Sequence, residues 1–357
     1  MRGKRREQRS LLMVGSLEER IPVDHPIRRV KLLADQALVE LSEVFEAMYS
    51  ETGRPSVPPE RLLKSQLLIA LFSVRSDRQF CEQLEYNLLF RWFLDLELDE
   101  GSFDASTFTR NRERLIRHEV AERFLAAIVA QAQQRRLLSS EHFSVDGTLI
   151  EAWASLKSVR PKDEPPGGDG NGWGGFRGTE RSNETHASRS DPEARLARKS
   201  HAEGAKLAFS SHALMENRNG LLLDLVVATA DGFAERREAA AMLAKLPGRR
   251  RRTVAADKGY DTRGFVAACR ELGITPHVAQ NAHRLRRSAI DSRTTRQPGY
   301  GISQVVRRRI ETIFGWLKSF GGMRRTRVRG VARTQLAARL AAAAYNLLRM
   351  SRLLAPA

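Results

Sequence analysis

Over the first third of the chain, apolar residues recur mostly three or four positions apart. Behind Pro26, the series Ile27, Val30, Leu33, Leu38, Leu41, Phe45 and Met48 predicts a helix to about Ser50. Gly53, Pro55, Pro58 and Pro59 break it. Pro59 suits a first helical position, and Leu62–Val74 is apolar enough for a buried helix. Ser76-Asp77-Arg78-Gln79 is a capping box that opens a third helix to about Phe93. After the acidic turn Asp95–Asp104, a fourth helix starts at Ser106 or Thr107, and a fifth runs from Val120 to Arg136. Residues 21–136 therefore read as an all-helical domain, behind a flexible basic arm over residues 1–20.

Past Leu138 the period changes. Phe143-Ser144-Val145-Asp146 alternates as a strand that closes at Asp146. Strand patterns return at Lys206–Met215 and Leu221–Thr229, joined by a turn ending in the hairpin signal Asn219-Gly220. Then come a helix at Glu235–Leu246, a strand at Thr253–Ala256 ending at Asp257, a helix at Thr262–Leu272 and a strand at Thr275–Val278. A basic linker, Asn281–Pro298, leads to a helix through Arg307–Lys318. An alanine-rich helix, Val331–Leu353, would cover the sheet. This order predicts an α/β domain over residues 138–357: a mixed five-stranded sheet with flanking helices. Residues 160–200 interrupt it with Pro161, Pro165, Pro166 and a run of glycines from Gly167 to Gly178, a composition that predicts a flexible insertion.

Composition narrows the partners. The chain has 357 residues, 41% of them hydrophobic, which suits a globular protein. Its formal charge of +18 favours a polyanion, nucleic acid first and an anionic membrane surface second. No run of ~20 apolar residues could span a bilayer. Arg2, Lys4, Arg5 and Arg6 have no apolar stretch behind them, so the start is not a signal-peptide pattern and a cytoplasmic location is expected. Cys81 and Cys269 are too far apart in sequence for a thiolate zinc motif. No HxxxH or HExxH occurs, so any metal should be a hard cation on oxygen ligands. The helix from Ser106 to Arg117 carries Arg110, Arg112, Arg114 and Arg117. It reads either as a helix-turn-helix-like element entering a DNA groove or as the solvated face of a bundle.

The chemistry concentrates in three places. In Arg307-Arg-Arg-Ile-Glu311-Thr-Ile-Phe-Gly-Trp-Leu-Lys318, one turn separates Arg307 from Glu311 and about two separate Glu311 from Lys318. A carboxylate then sits between two cations on one face, with Ile310, Ile313, Phe314 and Leu317 opposite. Alone, this is an exposed i,i+4 pair worth about 0.3–0.5 kcal/mol. Asp146 and Asp257, at two strand ends, change that weighting. If their strands lie parallel and adjacent, both carboxylates emerge at one sheet edge, beneath the Glu311 helix. Three converging carboxylates can hold two Mg²⁺ ions about 3.5–4 Å apart. Arg307 and Lys318 would then bind DNA phosphates.

Val145-Asp146-Gly147-Thr148, Ala256-Asp257-Lys258-Gly259-Tyr260-Asp261-Thr262 and Arg307-x3-Glu311-x6-Lys318 resemble the three signature blocks of bacterial DDE transposases. The resemblance is greatest to the fifth insertion-sequence family, within the broad group of the fourth. Ala194–Ser200, His212–Gly220 and the helical front from Asp24 to Arg117 are similar too, so nearly the whole chain is covered. The resemblance implies an RNase H-like catalytic domain with two Mg²⁺ ions, Mn²⁺ being able to substitute. It implies binding of double-stranded DNA at terminal inverted repeats, cleavage, and strand transfer to target DNA by a homodimer or larger assembly. Asp146, Asp257 and Glu311 match the catalytic, metal-holding triad, and Arg307 and Lys318 match its basic partners. One position departs: the family often has Tyr three residues before the Arg, and Gln304 stands there, with Tyr300 out of register. Two alternatives stand beside this reading, an idle transposase-derived DNA-binding protein and an RNase H-type nuclease that hydrolyses without joining.

Overall fold

The computed structural model describes residues 16–50, 52, 56–163, 181–198, 203–248, 251–281 and 287–355. Most of the expected arm (1–15), Gly53 and Pro55, the glycine-rich stretch 164–180, and Lys199 and Ser200 fall outside those residues.

The front of the chain is helical: α1 Leu17–Arg20, α2 Pro26–Val39, α3 Ser42–Met48, α4 Pro59–Leu71, α5 Asp77–Tyr86, α6 Leu88–Phe93, α7 Ser106–Arg117 and α8 Val120–Gln134. Two expected helices are each broken in two. Between α5 and α6, Asn87 takes an extended backbone and its side chain accepts from Phe90 N at 3.2 Å, so one residue ends a helix and caps the next. The capping box forms with a shift. Ser76 Oγ accepts from Gln79 N at 3.1 Å, while Gln79 Oε1 accepts from Arg75 N at 3.0 Å instead of from the Ser76 amide.

The remaining elements are β1 His142–Glu151, β2 Val159–Pro161, β3 His186–Ser188, β4 Arg195–Ala197, β5 Lys206–Glu216, β6 Leu222–Thr229, α9 Ala234–Ala244, β7 Arg252–Ala256, α10 Arg263–Glu271, β8 Ile274–Val278, α11 Ser292–Thr295, α12 Pro298–Val306, α13 Arg309–Ser319 and α14 Val331–Leu353. Five strands form the expected mixed sheet in the order β6-β5-β1-β7-β8. β6, β5 and β1 are antiparallel, and β1, β7 and β8 are parallel. A short sixth strand, β4, joins the same edge of β5 that β6 occupies. The insertion is thus not loop throughout. Asn183 accepts from Leu196 N and donates to Leu196 O, both at 2.8 Å, and β2 pairs with β3. Side-chain bonds to backbone order residues 181–198 where apolar content could not.

Alternation along β1 sorts its two faces. Phe143 and Val145 pack with Leu214, Val254 and Ala256 under α9 and α10. Ile150 packs with Phe209, Ala213 and Met215 in the core that α13 and α14 close. Buried Ala338 and Ala341–Ala344 let neighbours approach α14 closely, and it touches α2, α4 and α8 as well as β6. The helical front therefore shares its apolar core with one face of the sheet.

Candidate active site

β1 and β7 pair in register, with His142 opposite Thr253 and Ser144 opposite Ala255. Two residues further, the same register sets Asp146 beside Asp257, both on the β1 face that carries Ser144 and Thr148. Asp257 directly follows β7, and its Oδ1 accepts from Gly259 N at 2.8 Å. Asp146 is mid-strand, contrary to the expected strand end, because β1 runs on to Glu151 against β5 alone. Its Oδ1 accepts from Gly147 N at 2.8 Å. Burial, together with the charges of Asp257 and Glu235, pushes the Asp146 carboxyl up to about 7, against the opposing pull of the Gly147 amide and Arg307.

The third block is not one helix. α12 ends at Val306 and α13 starts at Arg309. Tight bonds from Ile310 N to Arg307 O (3.0 Å) and from Glu311 N to Arg308 O (3.1 Å) span the junction. α13 lies on the Asp146 face of the sheet: Lys318 Nζ donates to Thr148 Oγ1 at 2.6 Å, and Phe314 and Leu317 meet Thr148 and Ile150. Gln304 has a definite task. Its Nε2 donates to His277 O at 2.6 Å, and its Oε1 accepts from Arg307 Nε at 3.0 Å, which ties Arg307 to the end of β8. Tyr300 instead donates to Val278 O at 2.9 Å.

Glu311 is exposed and its carboxylate makes no hydrogen bond or salt bridge among the described residues, so the i,i+4 pair with Arg307 does not form. Nor does any group of three His, Cys, Asp or Glu among those residues lie close enough to hold an ion. The fold brings Asp146 and Asp257 together and leaves Glu311 apart. The donor set, carboxylate oxygen without sulfur, fits a hard divalent cation.

Sequence reasoning missed Glu235, on the first turn of α9. The next residue, Arg236, donates from Nη1 to Gly259 O at 3.3 Å, so the start of α9 is tied to the Asp257 loop. Burial first, and the Asp257 charge second, raise the Glu235 carboxyl above its ordinary range. The one sequence signal was Gly147, next to Asp146, whose missing side chain leaves the space that Glu235 and His212 take. A cavity of about 680 Å³ adjoins it, lined by Gly147, Thr148, Arg195, His212, Glu235 and Lys318 among others.

The four arginines of α7 divide. Arg110 and Arg117 are exposed. Arg112 bonds Asp77 at 3.3 Å, while Arg114 lies 4.5 Å over the Tyr49 ring and donates to Asn111 Oδ1 at 3.1 Å. Half of the expected basic face is thus engaged within the protein.

Residues 139–347 match the family described as Transposase DDE domain. The chain belongs to the DDE transposase family. Residues 15–114 match a second family, Transposase domain (DUF772), as an insertion-sequence-type DDE transposase would. No curated protein matches this DDE transposase chain. Among solved structures, a piggyBac transposase synaptic complex with hairpin DNA is similar at 9% identity and a TM-score of 0.44, over 92% of this chain and 76% of that one. The Mos1 transposase paired-end complex with left transposon end is similar at 13% identity and a TM-score of 0.20, over 81% and 77%. Among the described residues, no helix of this family member is long and apolar enough to cross a membrane.

Proposed function

We propose that this DDE transposase uses Asp146, Asp257 and Glu311 to hold two Mg²⁺ ions, cleaves DNA at terminal inverted repeats and transfers the 3′ ends to target DNA. The observation that supports this reading most is the β1–β7 register, which sets two acidic residues side by side on the face where α13 lies. Bound there, the cations would activate a water or 3′-hydroxyl and stabilise the leaving oxygen. The protein's own part is positional. Asp146 and Asp257 would hold the cations as carboxylates, and Glu311 would join them by turning from solvent toward the two aspartates. Arg307, braced by Gln304 with its Nη atoms making no hydrogen bond among the described residues, takes a phosphate oxygen beside the scissile bond. Lys318 offers a second cation from Thr148. Residues 21–136 recognise the ends or build a dimer, since a transposon has two ends to hold.

The test is a strand-transfer assay with Mg²⁺ or Mn²⁺ on duplexes carrying the inverted repeats that flank the coding region. Asp146→Asn should abolish cleavage and leave end binding near wild type. Cleavage by the wild type without joined products would point to a nuclease. Mg²⁺-dependent nicking by Asp146→Asn would remove Asp146 from the site.

A further inference from the structure

Gly147 follows Asp146, and the space its side chain would fill is already taken. A Cβ built there would stand 2.8 Å from Glu235 Oε1, 2.9 Å from Glu235 Cγ and 3.0 Å from His212 Nδ1. Two polar heads from different elements, α9 and β5, therefore meet on the residue next to Asp146. Neither has a side-chain partner among the described residues. The Glu235 carboxylate makes no hydrogen bond or salt bridge there. His212 is 1% exposed, and both its ring nitrogens are unbonded among the same residues. A buried imidazole left in that state is costly, so the arrangement is incomplete as it stands. The Arg236 bond to Gly259 O fixes the first turn of α9 against the Asp257 loop, and Glu235 is near enough to both aspartates for its charge to act on Asp146 and that of Asp257 to act on it.

We propose that Glu235 is a fourth oxygen donor to the divalent cations of this site, with His212 as a positioning residue behind it. A small rotation brings the Glu235 carboxylate onto His212 Nδ1–H, and the imidazole then fixes its orientation toward Asp146 and Asp257. Gly147 is required because any side chain there would displace both heads. This inference rests on the reading that Asp146 and Asp257 carry the cations.

Mn²⁺ binding to the full chain, followed by electron paramagnetic resonance, tests it without DNA or turnover. Glu235→Gln should weaken Mn²⁺ by about tenfold or more, with melting in EDTA close to wild type. His212→Leu should weaken it less, and His212→Gln, which keeps a donor, should recover part of the loss. If Glu235→Gln melts early, Gly147→Ala decides: weakened Mn²⁺ binding supports the role, and wild-type affinity overturns it. Wild-type affinity in Glu235→Gln, with Asp146→Asn defective, overturns the inference alone. Wild-type affinity in Asp146→Asn overturns the underlying reading as well.

Discussion

Burial and neighbouring carboxylates hold the Asp146 carboxyl at about 7, and that shift has a sign that can be checked. An unfolded chain releases this proton near pH 4, whereas the folded one keeps it to about 7. Between those values the folded state binds more protons, so stability falls as pH rises. The cost reaches up to about 4 kcal/mol at roughly pH 8 without metal. Asp146→Asn removes it. In EDTA at about pH 8 the variant should melt above wild type, and the gap should close near pH 4. An equal gap at both values would mean that ionisation is not the cause. Gln304 yields a second test. Gln304→Ala unties Arg307 from β8 and should cost about 1 kcal/mol of stability. Because small misplacements of a positioning group are expensive, DNA cleavage should fall by roughly tenfold or more. Unchanged cleavage with a lowered melting point would leave Gln304 a purely structural role.

Among the elements, α14 does more than fill space. β6 is an edge strand, and α14 side chains bind its outer backbone. Asn346 accepts from Leu222 N at 2.9 Å and donates to Leu222 O at 2.7 Å, and Gln335 donates to Leu225 O at 2.7 Å and accepts from Val227 N. An otherwise open edge is closed by a helix. Asn346 is 1% exposed, so Asn346→Ala strands two buried backbone groups and should cost roughly 2–4 kcal/mol by urea denaturation. A loss under about 0.5 kcal/mol would mean that water or a shifted α14 replaces both bonds. The period of apolar residues made α14 and most sheet elements legible, because burial on one face drives both. What it could not convey were bonds between distant polar side chains and backbone. Asn183 ordering β4 was one, Asn87 splitting a helix another, and Gln304 bracing Arg307 a third. That Asp146 and Asp257 lie side by side could be read from the sequence because adjacent parallel strands share a register, whereas the strand end expected at Asp146 could not, since β1 runs on to Glu151. Glu235 could not, since a carboxylate on the first turn of a helix is ordinary.

At the scale of the whole molecule, the formal charge of +18 has to be neutralised by something. The helical front and the sheet share one core, so their basic surfaces are held at a fixed spacing. Between them lies a cavity of about 640 Å³ lined by Arg75, Arg78, Arg112, Arg327 and Arg333 and by Trp153. Arg112 and Arg333 are paired with Asp77 and Glu113, and the Arg325 guanidinium lies 5.5 Å over the Trp153 ring. Arg75 and Arg78 are exposed and have no salt bridge among the described residues, which leaves them able to meet phosphate. A duplex tracking from this cleft to Asp146 would release counterions in proportion to the phosphates contacted. Plotted as log K against log salt, wild-type binding should be steep, losing about 0.9 per phosphate. Replacing Arg75 and Arg78 with Ala should make the slope shallower by about 2 and weaken all sequences alike, because phosphate contacts position the duplex without reading bases. If the slope stays at the wild-type value while affinity drops, the two arginines act by shaping the cleft. If neither changes, DNA takes another route across the surface, for which the exposed Arg110 and Arg117 of α7 are the next pair to replace.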